Sequence, residues 1–502
     1  MMTIGNRPCR RSLCGLTAVA ALFAFAGATH AAEDYKPKMS PGAKQTEFDE
    51  NAFKPMPTYD DKPYDIEAQL KIYGGKSEVE APRPLFELGH PQYVAGQLPE
   101  PSTAFGELNP TQFAVQAFGD WRTAIAFNDF GGNELGQIAT RLNIDIDMKI
   151  TSTERLHAFI RPIDSGANFT RCELFGNDKD EGCELESDLN LETLFFEGDF
   201  GAIASGLTGD YYKTDRPFTF GLVPLFFQNG LWMDDAIWGG AFAFPALNSP
   251  AFDISNMDFT IFAGFDEITN NGIVDANGQT AAHNVNIYGG QLFIEMQSGY
   301  IETGLAYLDA DNAKLGDQDI WSFAFAWSAR FRDIASYSVR YFLSEQDNQV
   351  GQNNGTGMAV LLETSWNTHK PYTLIPYANM WFGLNRPQPA GNAEGLLVNT
   401  GINFETDALT GFPFLDDTAA DTFGGAIGVQ YLFDLDQQLV FEAASVQKYG
   451  NQSNIAGDQY AFGVRWQLPV SQAWILRADA MYGIRNNDDD ISGVRFEVRR
   501  KF

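Results

Sequence analysis

From Thr111 onward the chain alternates apolar and polar side chains in segments of about nine to fourteen residues, separated by turns rich in Gly, Asn and Asp. In QFAVQAFGDWRTAIAF, Phe113, Val115, Trp121, Ile125 and Phe127 oppose Gln116, Asp120 and Arg122. In RLNIDIDMKI, Leu142, Ile144, Ile146, Met148 and Ile150 oppose Arg141, Asn143, Asp145, Asp147 and Lys149. WSFAFAWSARF, SVRYFL, YAFGVRWQL and AWILRADAMYGIR repeat the scheme. A period of two is that of a strand with unlike faces, and tilted segments of this length suit a bilayer crossing.

The connections supply an independent test, because an outer-membrane barrel alternates tight periplasmic turns with longer outer loops. TSTE, MQSGY, RDIAS, NTHKP, DLDQQ and PVSQ are short. Between them lie long stretches, including 165–187, DEITNNGIVDANGQTAAH, SEQDNQVGQNNGTG and the span from about Asn385 to Asp421. The rhythm holds throughout for about 18 strands if 200–217 and 396–405 are left out of the wall. The expected fold is therefore all-β, a transmembrane antiparallel up-and-down β-barrel over 111–502.

The beginning of the chain differs. Arg7, Arg10 and Arg11, an apolar run from Leu13 to Gly27 and a cut after Ala31 read as a secretory signal over 1–31. Residues 32–110 hold 11 of the 23 prolines and read as an extended periplasmic or plug segment, with a short helix possible around YDIEAQLKIYGG. Composition adds one exclusion: a net charge of -31 argues against nucleic acid, whose phosphates need a basic surface. Of the four cysteines, Cys9 and Cys14 leave with the signal, and Cys172 and Cys183 are expected to join as a disulfide across a loop.

GVRFEVRRKF places Val494, Phe496 and Val498 on one face and Arg495, Glu497, Arg499 and Lys501 on the other. This strand, ending on Phe502, resembles the C-terminal recognition signal of outer-membrane proteins, which implies a Gram-negative outer membrane and contact with its barrel-assembly machinery. Arg500 stands where that signal usually has a hydrophobe. FTFGLVPLFFQNGLWMDDAIWGGAF resembles the strand-loop-strand unit of alginate-export-type and related large porins, through Gly221, Gly230, Asp234 and Asp235. Gly221-Leu222-Val223 replaces the Gly-Arg-Gln triplet usual there. The resemblance implies a channel and leaves the solute open.

Alternation turns one set of charges toward the lumen. The candidate pore-lining residues are Arg122, Arg141, Asp145, Asp147, Arg330, Arg340, Arg465, Arg477, Asp479, Arg485, Arg495, Glu497 and Arg499, with Asp120, Glu295 and Glu302 beside them. Ions facing inward require a wet interior. Two uses compete: a wall ladder of paired charges that holds register, which is preferred, and an arginine-lined path for anions. Aromatics near strand ends (Trp232, Trp238, Tyr372, Trp381, Tyr449, Trp466, Trp474, Tyr482) fit an interface belt, with Trp232 alternatively stacking sugars inside the pore.

Catalysis finds little support. The five histidines lack metal-ligand spacing, no nucleophile elbow or phosphate loop occurs, and no cofactor is implied. DADNAKLGDQDI fails as an EF-hand, with Lys314 at the glycine position and Ile320 at the final Glu. NDKDE and NNDDD read as solvated loop charge in preference to ion sites bridging to lipopolysaccharide. The expectation is a passive channel for hydrophilic, anionic or carbohydrate solutes, with acidic-polysaccharide export also open. The alternative is a plugged barrel serving a periplasmic protein.

Overall fold

The computed structural model of the protein describes residues 82–89 and 100–502, apart from 167, 177–181, 267, 276–279, 281–283, 313–315, 348–354, 372, 406–408 and 434–436. The signal at 1–31, the helix expected near residue 70, NDKDE, Lys314 and Tyr372 lie outside the described residues.

The wall opens with β1 (Ala114–Asp129), β2 (Glu134–Lys149), β3 (Arg155–Ile160) and β4 (Leu191–Asp199). It continues through β5 (Pro217–Phe227), β6 (Met233–Ser249), β7 (Ile254–Gly264), β8 (Val285–Met296) and β9 (Gly299–Asn312). β10 (Ile320–Phe331), β11 (Ala335–Gln346), β12 (Gly357–Trp366), β13 (Leu374–Asn385) and β14 (Thr422–Phe433) follow. β15 (Gln437–Lys448), β16 (Gln459–Pro469), β17 (Trp474–Arg485) and β18 (Ile491–Lys501) complete it. Every neighbouring pair is antiparallel, and β18 closes on β1 through Asp120–Asp129. The result is a closed barrel of 18 strands, in which no long backbone edge is left in the membrane.

Outside, Trp121, Phe127, Trp327, Phe462, Val494 and Phe496 are exposed, as lipid-facing positions should be. Their sequence neighbours Ala126, Ser328, Arg495 and Glu497 are buried on the inner face. Phe502 exchanges two backbone hydrogen bonds with Gly119, so the last residue completes the seam. The unexpected Arg500 lies over the Trp474 ring, 5.5 Å from its centroid, a cation–π contact suited to the interface.

Both segments excluded from the wall are outside it. Residues 200–208 form α1 (Phe200–Thr208) in the β4–β5 connection. Asp199 caps its start by accepting from the Ala202 N–H at 2.8 Å, and Gly209 ends it with φ 74°. Residues 396–405 belong to the loop 386–421, which folds into the barrel: Leu396, Leu397, Val398 and Phe404 are buried. A short strand, Phe86–Gly89, pairs with β1 at Ala114–Ala117, and Cys172 is joined to Cys183.

The β5–β6 hairpin departs from the cylinder. β5 pairs with β4 only as far as Leu222, and β6 pairs with β7 only from Gly239. Gly221 and Gly239 face each other at that level, and beyond them the hairpin leaves the wall and bends inward. Gly221 has φ 128°, and a Cβ there would strike the Leu194 carbonyl; one on Gly239 would strike that of Ala263. The tip reaches across to β10, where the Trp232 indole N–H donates to Ser322 Oγ at 3.0 Å.

This infolding corrects one expectation. The outer part of the lumen holds an apolar core to which every strand from β5 to β18 contributes, as with Ile287, Leu308, Phe342 and Leu361. Leu231, Trp232, Ile268, Ile273, Leu397 and Phe404 from the infolded segments pack on it. Inner positions here are apolar because loops, not water, cover them. Trp232 and Trp381 therefore belong to this core, neither to an interface belt nor to a sugar track. Trp238, Tyr449, Trp474 and Tyr482 are exposed as a belt requires.

Candidate functional site

Below and beside the apolar core, period-two alternation brings inward charges from non-adjacent parts of the sequence onto one stripe of wall, β16–β18 with β1 and β2. Asp479 of β17 is its centre, with a side chain 3% exposed. It is paired with Arg465 at 2.7 Å, Arg477 at 2.8 Å and Arg495 at 2.7 Å. Three guanidinium groups around one carboxylate leave an excess of positive charge. Glu405, carried in by the loop 386–421, offsets it by binding Arg477 at 2.6 Å and also Arg465. Arg495 further lies 5.3 Å from the centroid of Phe412 in the same loop.

The network continues round the seam. Glu497 takes Arg122 at 2.7 Å and Arg499 at 3.2 Å, and Arg499 lies 3.6 Å from Asp120. Arg141 reaches Asp164 at 3.2 Å and stacks over Phe169. Asp164 is fully buried in the step between β3 and its upper continuation, Asn168–Phe175. Asp147 meets Arg155 at 3.2 Å, and Asp145 faces Asp120 and His157. Those that cross between strands, such as Arg122–Glu497, Arg499–Asp120 and Arg155–Asp147, hold register as well as charge balance.

Arg330 and Arg340 stand elsewhere. Arg340 on β11 binds Glu363 at 2.6 Å and Gln228 of the hairpin tip at 2.9 Å, and Arg330 lines the cavity beneath. Arg485 is not pore-lining as expected. It ends β17 at the outer rim, where it pairs with Asp488 at 3.1 Å and donates to the carbonyls of Asp489 and Phe130. At the last residue of a strand, alternation no longer fixes which way a long side chain turns.

The loop that crosses the lumen is held at several points. The buried Glu442 carboxylate on β15 accepts from the Ile402 N–H at 3.0 Å, the Asn403 N–H at 2.9 Å, Asn403 Nδ2 at 2.8 Å and Tyr377 OH at 2.6 Å. Across the seam, on β1 and β2, Asn128 and Gln137 donate to the Thr410 carbonyl at 2.8 and 2.7 Å. Near the loop's ends, Ala390 N–H donates to the Trp232 carbonyl and Gly395 N–H to Asp417. Burial, with Asp416 and Glu394 beside it, pushes the Asp417 carboxyl up to about 7.

At the periplasmic turn, burial raises the Glu154 carboxyl, but hydrogen bonds from Thr151, Thr153, Asn109 and the Asp199 N–H outweigh it and hold the group below its usual range. Asn109 Nδ2 donates at 2.7 Å, which ties the preceding segment to the barrel. Glu405, Asp164 and Gln228 are not marked by alternation, since none lies in a regular wall strand; Glu442 does alternate inward on β15 with Val440 and Ala444, so that signal could have found it. Among the described residues no group of three or more His, Cys, Asp or Glu side chains is arranged to hold a metal ion.

No protein-family model matches the chain, and no curated protein matches it. Solved structures do. The Pseudomonas aeruginosa channel OccK1 (OpdK) superposes with a TM-score of 0.52 at 10% identity, over 77% of this chain and 98% of that one. The fold is that of an outer-membrane porin. OccK9 (OpdG) of the same organism gives a TM-score of 0.51 at 10% identity over the same shares. OpdK solved with vanillate gives 0.52 at 10% identity, again over 77% and 98%. At such identities the likeness is one of porin architecture, and the functional reading rests on this chain's own residues.

Proposed function

We propose that the protein is a passive outer-membrane channel for small hydrophilic solutes, narrowed by its own loops. The observation that carries this is a closed apolar-sided cylinder whose inner wall bears a stripe of paired ions from Arg465 to Asp147. Such a network is tolerable only beside water or in full mutual pairing, and Arg155 and Arg499 retain 35% and 31% side-chain exposure. Those half-exposed guanidinium groups favour anionic solutes such as carboxylates; OpdK, the likeness of 0.52, was solved with one, vanillate. Buried members of the ladder chiefly hold register, the preferred reading of the sequence.

Export of an acidic polysaccharide is the less favoured use, since a loop reaching from Trp232 to Thr410 leaves no wide bore. In this reading 1–31 is a secretion signal, the β18 strand ending on Phe502 is recognised by barrel-assembly machinery, and the exterior contacts lipid and lipopolysaccharide. The apolar core favours a second reading, a plugged scaffold working with a periplasmic protein. Osmotic swelling of proteoliposomes separates the two. Swelling in glycerol, glycine or acetate supports the channel, and a swelling rate equal to that of empty liposomes in all three supports the scaffold.

A further inference from the structure

The wall opposite the arginine stripe has a chemistry of its own. One register row on its inner face reads Glu295, Tyr300, Ser328, Ser338, Glu363 and Asn379, one residue from each strand from β8 to β13. The row beneath it runs Arg330, Ser336, Ser365 and Tyr377 from β10 to β13. Register rows in a tilted barrel climb as they pass from strand to strand, so these form a slanting double track. The track lines a cavity of about 860 Å³ on the periplasmic side, roofed by Asn229 of the infolded hairpin. That volume lies in the range of small-molecule sites, about 300–1,000 Å³.

Its composition selects a ligand. The lining combines hydroxyl, carboxamide and carboxylate groups with two arginines, one of which, Arg340, is already engaged by Glu363 and Gln228. Glu295 and Glu363 stand among them, so the track offers no surplus of positive charge to an anion. It does offer donors and acceptors at close intervals, which a polyhydroxylated molecule can satisfy together. Serine hydroxyls take sugar hydroxyls in either sense, carboxylates accept from them, and Tyr300 and Tyr377 add flat apolar faces.

We infer that this track binds an uncharged polyhydroxylated solute of mono- to disaccharide size on its way through the barrel. The inference rests on the channel reading only for the passage, not for the binding. The test uses the full-length protein in a planar bilayer, with maltose added to each side in turn and the concentration that half-blocks the potassium chloride current recorded. The combined variant Tyr300→Phe with Ser365→Ala removes two hydroxyls, each worth about fivefold as a net hydrogen bond.

The half-blocking concentration should rise about tenfold or more in that variant and stay within twofold in Tyr482→Phe, which removes a hydroxyl from the outer face. An unchanged value in the double variant, or an absence of sugar block from either side while current flows, overturns the inference. If no current flows at all, equilibrium dialysis of radiolabelled maltose against the detergent-solubilised protein decides. Saturable binding weakened by the double variant sustains the site although the channel reading has failed, and no saturable binding removes the site as well.

Discussion

Glu442→Gln tests how the loop 386–421 is held across the lumen. The native carboxylate accepts four hydrogen bonds between 2.6 and 3.0 Å, three of them from Ile402 and Asn403 of the loop. A carboxamide keeps one acceptor oxygen and presents an N–H₂ group to the other donors. At least two bonds to a charged acceptor are lost, each worth about 1.5–3 kcal/mol, and they are not additive. A combined loss of about 3–4 kcal/mol shifts the docked-to-undocked ratio by roughly two to three orders of magnitude.

Single-channel recording of the variant should then show excursions to a larger conductance level, rare in the native protein. Heat-dependent mobility on denaturing gels checks that the barrel itself remains folded. A folded variant with native conductance and native open-level noise would refute the idea that Glu442 seats the loop.

Asp479→Asn removes the carboxylate that Arg465, Arg477 and Arg495 share, and Glu405 is paired with the first two. A loss of about 3–5 kcal/mol is expected, read as a lower unfolding temperature in detergent, because buried charge would be left uncompensated. The raised Asp417 carboxyl makes loop docking pH-dependent: the group favours the docked, protonated state, and that contribution is lost as pH rises through about 7. Large-conductance excursions should therefore be more frequent at pH 8 than at pH 6, and Asp417→Asn should remove the difference. Glu154→Ala should free residues 100–113 from the periplasmic turn and speed their cleavage in limited proteolysis. Glu154 is held below its usual range, so the tether it provides is present near neutrality and weakens as pH falls through its folded pKa.

The wall was legible in the sequence because a bilayer outside and ions inside impose opposite demands on successive residues. RLNIDIDMKI and GVRFEVRRKF could satisfy both only as strands of one sidedness, and they do. The ladder followed from the same rule, Arg477, Asp479 and Arg495 all turning inward. Glu405 did not follow, because it sits in a loop where no period constrains orientation. The apolar core was hidden for a related reason. Ile287, Leu308 and Phe342 carry the hydrophobicity of lipid-facing positions while facing inward, so composition alone could not show that a folded-in loop was their solvent. Trp232 misled in the same way: its place at a hairpin tip suggested an interface, but the glycine pair at Gly221 and Gly239 bends that tip into the barrel.

The most direct measurement is the current through single copies of the purified protein in a planar bilayer with a potassium chloride gradient. A water-filled, ion-lined passage beside the loop predicts discrete current steps, with a reversal potential displaced modestly toward the chloride potential by the half-exposed Arg155 and Arg499. Barrels that insert as folded protein yet pass no steps at any voltage, or steps selective for potassium, would contradict the account.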